Sequence, residues 1–159
     1  MLAALNDRLE RGLSGLLALA FAGLIGTVFL QVLARNVLEQ PLIWTLDVAQ
    51  LLFSWCIFLG AAVAFRRGGH YALDLWPRRW GGFRLAVAVL AWLASAVVIL
   101  VLLRYGIVLT EMANRRQSAS MGISELWFFL PIPLGAGAMA LFLVEQALGA
   151  IKGWREAAS

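Results

Sequence analysis

Residues 12–34 read GLSGLLALAFAGLIGTVFLQVLA and hold no charged side chain. A helix that crosses a bilayer needs about 20 consecutive, mostly apolar residues, and this stretch is long enough. Membrane β-strands are shorter, near ten residues, and alternate apolar with polar; this run does not alternate. In hydrocarbon every backbone group must be satisfied within the protein, which leaves the helix. A signal-peptide core is about 7–15 residues long and follows a basic stretch. Here the run is longer, and Asp7 and Glu10 precede it, so the segment reads as a retained helix.

Three further stretches follow the same rule. They cover about 46–65, with Asp47 near the start; about 85–103, bracketed by Arg84 and Arg104; and about 126–150, with Pro131 and Pro133 early and Glu145 late. The expected fold is therefore an all-α membrane protein, with one four-helix transmembrane domain over residues 1–159. Composition agrees: 62% of residues are hydrophobic and 14% charged, where soluble domains carry roughly 25% charged residues. A single soluble domain of this length could not bury so much apolar surface. The net charge of +4 sits on residues flanking the apolar runs, where Lys and Arg meet lipid headgroups. It is not a nucleic-acid signature. Lys and Arg number nine on the side shared by the N-terminus, the second connection and the C-terminus, against four on the other side. The excess predicts cytoplasmic termini.

The connections suggest short amphipathic interfacial segments. Leu2, Leu5, Leu9 and Leu13 recur at near-helical spacing, with Asn6, Asp7, Glu10 and Arg11 on other faces. That pattern predicts a lead-in lying flat on the membrane. From Tyr71 to Trp80 apolar, aromatic and arginine residues alternate, which suits a segment in the interface. The third connection is expected to continue its helix to about Met112 or Asn114, then break across Gln117–Gly122. Trp44, Trp76, Trp80, Trp127 and Trp154 fall near predicted membrane boundaries, where amphipathic rings belong. Trp55 and Trp92 fall mid-span, against lipid or a neighbouring helix.

Polar groups inside apolar spans are the natural functional candidates. Asp47, Gln50 and Ser54, continued by Ala61, share one face of the second helix. Small and polar residues so placed mark helix packing or partner contact, more than an ion pathway. Arg35 could pair with Asp47 or Glu39 at the same membrane surface, or each could reach headgroups independently. Gln31, one turn before Arg35, could hydrogen-bond a neighbouring helix. Glu145 could find a basic partner, though simple placement at the interface is the plainer reading. Pro131 and Pro133 should kink the start of the fourth helix. The lone Cys56 reads as a small buried residue, and the lone His70 makes neither a haem ligand pair nor a zinc site. There is no phosphate loop, dinucleotide fingerprint, metal-ligand cluster or nucleophile–base pair. No enzyme activity and no cofactor are expected.

Several features stand in a definite order. Gln31-Val32-Leu33-Ala34-Arg35-Asn36 ends the first helix. Pro41-Leu42-Ile43-Trp44 and Asp47 follow, then Trp55-Cys56-Ile57-Phe58-Leu59-Gly60. Arg66-Arg67-Gly68-Gly69-His70 comes next, and later Ser124-Glu125-Leu126-Trp127 and Ile132-Pro133-Leu134-Gly135. From about Leu5 to Ile151 this resembles the small membrane subunit of tripartite ATP-independent periplasmic (TRAP) transporters, the DctQ-like family. One departure is the residue before Asp47: it is Leu46, where the family commonly has a second acid. The resemblance implies a multi-pass inner-membrane subunit with no transport site of its own. It implies a large membrane subunit that moves an organic acid or sialic acid with sodium, and a periplasmic binding protein that delivers it. Membrane lipids are the remaining partners. The partner-interface candidates are Gln31, Arg35, Trp44, Asp47, Gln50, Ser54, Trp55, Gly60, His70 and Pro133. The alternative is a self-contained four-helix transporter working as a dimer. It would want a carboxylate in the first span, and residues 12–34 have none.

Overall fold

The computed structural model describes residues 2–40, 42–68 and 81–157. Pro41, His70 and the Tyr71–Trp80 segment lie outside the described residues. The chain forms α1 (Leu2–Asn36), α2 (Trp44–Gly68), α3 (Gly81–Ala113), the short α4 (Leu126–Phe129) and α5 (Pro131–Ala157). Four helices are long and apolar enough to cross a membrane, the last spanning Leu126–Gly149 across α4 and α5. Among the described residues, the only β pairing is an isolated bridge between Gln117 and Ser124.

The separate flat lead-in is not what the structure contains. Residues from Leu2 onward run without a break into α1, a helix of 35 residues, about 52 Å long. The reason is electrostatic. Asn6, Asp7 and Glu10 turn toward Arg66 of α2 instead of toward headgroups. α3 reaches Ala113 as the sequence suggested. The chain then turns back, with Gly122 at φ +66, a left-handed conformation that glycine adopts without a Cβ clash. Between α1 and α2 the same region is entered by Glu39 at φ 53. There the Gln40 N–H donates to the Ala34 carbonyl at 3.1 Å.

The long helices form a row. α1 packs on α2, α2 on α5, and α5 on α3. The core lies where Ala62 of α2 and Ile99 of α3 meet Ala138, Met139, Phe142 and Leu143 of α5. Accordingly 44% of the fourth span is buried, against 6% of the first. The outer faces stay apolar and uncovered: Leu19 is 73% exposed on α1 and Leu100 64% on α3. With lipid as solvent there is no hydrophobic drive between helices, so close packing must hold the row together.

Two glycines permit that packing. A Cβ at Gly135 would sit 2.8 Å from the Phe58 carbonyl oxygen, and one at Gly106 would sit 2.8 Å from Ile132 Cγ2. Backbone blocks the first, so Gly135→Ala must push α5 off α2. It should destabilise the protein by about 1–3 kcal/mol in detergent melts. Gly137, with nothing within 4 Å of its Cβ position, gives the contrast. Gly137→Ala should be neutral or stabilising by up to about 1 kcal/mol.

Candidate functional site

The polar groups gather at two levels of α2. At one end the Arg66 guanidinium lies among carboxylates from two other helices. Its Nη2 is 2.6 Å from Asp7 Oδ1, its Nη1 is 2.6 Å from Glu10 Oε2, and its Nε is 3.6 Å from Glu145 Oε2. Nη1 also donates to the Asn6 carbonyl at 2.8 Å. Arg67 Nε adds a 2.8 Å contact to Glu10 Oε1, and Asn6 Nδ2 donates to Glu145 Oε2 at 2.7 Å. The Arg66 guanidinium also lies 5.2 Å from the centre of the Phe142 ring, within cation–π range. α1, α2 and α5 are thus joined through one side chain.

The other end is built around Asp47 and the turn after α3. Ser118 Oγ and Ser120 Oγ both donate to Asp47 Oδ2, and the Ser120 N–H approaches the same oxygen at 3.4 Å. Ser118 N–H donates to the Ile123 carbonyl at 2.8 Å, and Glu125 N–H to Arg116 O at 3.0 Å, closing the turn. Beside it an open groove of about 460 Å³ is lined by Leu42, Ile43, Trp44, Ala119 and Ser120.

The α4–α5 break explains two further contacts. Pro131 and Pro133 have no N–H, so the carbonyls four residues earlier, Trp127 and Phe129, lose their helical donors. α2 supplies a substitute for the first of these and a donor to the carbonyl between them. Trp55 Nε1 donates to the Trp127 carbonyl at 3.2 Å, and Ser54 Oγ donates to the Phe128 carbonyl at 2.6 Å. The kink read from the prolines is therefore present, and it is stapled.

Several expectations change here. Arg35 is exposed and pairs with neither Asp47 nor Glu39, because the serines of the 118–120 turn occupy Asp47. Glu145, read as simply interfacial, has its basic partner in Arg66. Of the shared face on α2, Asp47 and Ser54 point into the protein, whereas Gln50 and Ala61 are exposed at its edge. Gln31 is half-buried and makes no side-chain hydrogen bond among the described residues. Trp44 is 42% exposed at the groove. Gly60 packs against Leu17, 3.8 Å from its Cβ position, and Pro133 lies against Gly106. His70 lies outside the described residues. The sequence placed Asn6, Asp7 and Glu10 on the polar face of a lead-in and Arg66 among the ordered features, but none of them stood among the partner-interface candidates. The available signal was that all four fall at one membrane end of the α1–α2 hairpin, with acids on one helix and a base on the other.

Arg66 is only 13% exposed, so Arg66→Ala leaves the half-buried Glu145 without a cation and Glu10 with Arg67 alone. It should cost about 3–5 kcal/mol, read by thermal unfolding in detergent. Arg67, 64% exposed, should lose no more than about 1 kcal/mol as Arg67→Ala. Ser54→Ala should cost about 1–3 kcal/mol by stripping the Phe128 carbonyl of its donor.

Comparison with known proteins identifies the family. Residues 24–153 match the family model described as tripartite ATP-independent periplasmic transporters, DctQ component. The chain is 32% identical over 143 residues to the sialic acid TRAP transporter permease protein SiaT of Haemophilus influenzae, covering 87% of this chain but 22% of that longer protein. It is 24% identical over 135 residues to the sialic acid TRAP transporter small permease protein SiaQ of Vibrio cholerae, covering 82% of this chain and 76% of that protein. With four membrane-length helices and a family match across most of its length, this multi-pass membrane protein belongs to the DctQ component family of TRAP transporters.

Proposed function

We propose that the chain is the non-catalytic small permease subunit of a TRAP-type importer in a bacterial inner membrane. In this reading it braces a large membrane subunit that takes up an organic acid, coupled to sodium. A periplasmic binding protein delivers the substrate. Sialic acid is the substrate class named for the two relatives. The termini and the Arg66 cluster face the cytoplasm, as the Lys and Arg excess favours, and the Asp47 turn faces the periplasm.

One observation carries the reading. Asp47 and Arg66 are 19 residues apart on α2, about 28 Å of helix, close to the ~30 Å hydrocarbon thickness. Among the described residues the carboxylates lie toward those two levels, and the core between them is Ala, Ile, Met, Phe and Leu. A coupling cation needs oxygen ligands partway across, and this buried core offers it alkyl groups, a thioether and an aromatic ring. The uncovered apolar faces of α1 and α3 suit a role at the edge of a larger protein.

The test is uptake by proteoliposomes. Vesicles holding this chain with its large subunit and binding protein should accumulate the organic acid when a sodium gradient is applied. Omitting this chain should abolish uptake, and this chain alone should carry none. Accumulation by vesicles holding only this chain would overturn the reading. Trp44→Ala, which removes an exposed ring beside the groove, should weaken assembly with the large subunit by about 1 kcal/mol or more, read as the large subunit recovered on this chain.

A further inference from the structure

The outward face of α3 carries a charge where lipid has no partner for it. Leu90, Leu93, Val97 and Leu100 form an exposed apolar stripe at helical spacing. Arg104 continues the stripe and is itself exposed, and Val108 follows, 43% exposed. The opposite face of the same helix is occupied, with Ile99 in the core and Gly106 against Ile132 and Pro133. Among the described residues Arg104 makes no ion pair.

Its depth follows from packing. Gly106, two residues on, meets Ile132 and Pro133 of α5, and Gly135, two residues further along α5, meets Phe58 of α2. Arg104 is therefore level with the region around Phe58. That residue lies about 16 Å along α2 from Asp47 and about 12 Å from Arg66. Arg104 falls inside the apolar span Val89–Ala113, and the helix does not end where the charge begins. A guanidinium at that depth is costly in hydrocarbon and normally meets a partner or a water-filled cavity.

We propose that this face of α3 receives a transmembrane helix of a partner protein, which presents a carboxylate to Arg104. The inference rests on reading the chain as a subunit of a larger permease and adds which face assembles. Charge complementarity selects the occupant: a planar guanidinium takes a carboxylate in paired hydrogen bonds, and an apolar stripe takes an apolar helix. The exposed face of α1, with Leu19 and Phe29, carries no charge between Gly12 and Ala34 and needs only lipid.

Benzoylphenylalanine placed at Val97, at Val108 or at Phe29 of α1 would be irradiated in the purified complex with the large subunit. Crosslinks to the large subunit are expected from positions 97 and 108 and not from 29. Arg104→Leu should lower recovery of the large subunit at least about tenfold by leaving its carboxylate unpaired. Arg104→Lys should keep most of the recovery. The yield and thermal stability of this chain alone should not change, since Arg104 makes no ion pair or side-chain hydrogen bond among the described residues. Crosslinks from position 29 alone would overturn the assigned face while leaving the subunit reading intact. Lipid adducts alone from 97 and 108, or normal assembly of Arg104→Leu, would show that Arg104 serves a lipid phosphate and would also overturn it. Failure of any complex to form would remove both readings together.

Discussion

Arg66 is held by carboxylates from two other helices, and the half of the bundle that contains both termini is organised around it. α1 supplies Asp7 and Glu10, α5 supplies Glu145, and the Phe142 ring lies beside the guanidinium. Such a cluster need not add much net stability, because taking charges out of water costs nearly what their attraction returns. What it does add is register. Each helix would otherwise be free to slide or rotate against apolar neighbours that lipid mimics well. A single fork with several carboxylate partners fixes where along α2 the other two helices sit.

Asp47 performs the matching task at the other end, where it ties the turn after α3 to the start of α2. Between the two levels the structure relies on close backbone approach at Gly135 and Gly106, and on Ser54 and Trp55 filling carbonyls at the proline break. The result is a row with α2 and α5 inside and α1 and α3 outside. A row offers more lateral surface than a closed four-helix bundle, and that surface is apolar. Such a shape widens the membrane footprint of whatever it joins.

The four spans were legible because lipid imposes a length and a composition on each helix without help from the rest of the chain. The break at Pro131 was legible for a similar reason, since the missing N–H is local chemistry. The Arg66 cluster was not. Its contacts join residues from 56 to 139 positions apart, and sequence spacing tells only which residues share a helix face. The polar face of residues 6–10 was visible, but it was assigned to headgroups, the commonest partner for such a face. Arg35 and Asp47 failed as a pair because the turn at 118–120 competes for the carboxylate, and nothing local to either residue announces that turn. Arg104 looked like the end of a span by charge alone. The helix continues because Ile107, Val108 and Leu109 extend the apolar run beyond it.

On the proposed reading, the chain is a brace that keeps one shape while the rest of the transporter moves. The most direct measurement places spin labels at Gly12→Cys on α1 and Arg115→Cys just past α3, in a Cys56→Ser background, within the assembled transporter in lipid nanodiscs. Pulsed electron–electron resonance would then compare the label separation with and without sodium, substrate and binding protein. A fixed brace gives one unchanged distance distribution in every condition. Two populations whose ratio follows the substrate would mean that this chain changes shape during transport, contradicting the role proposed for it.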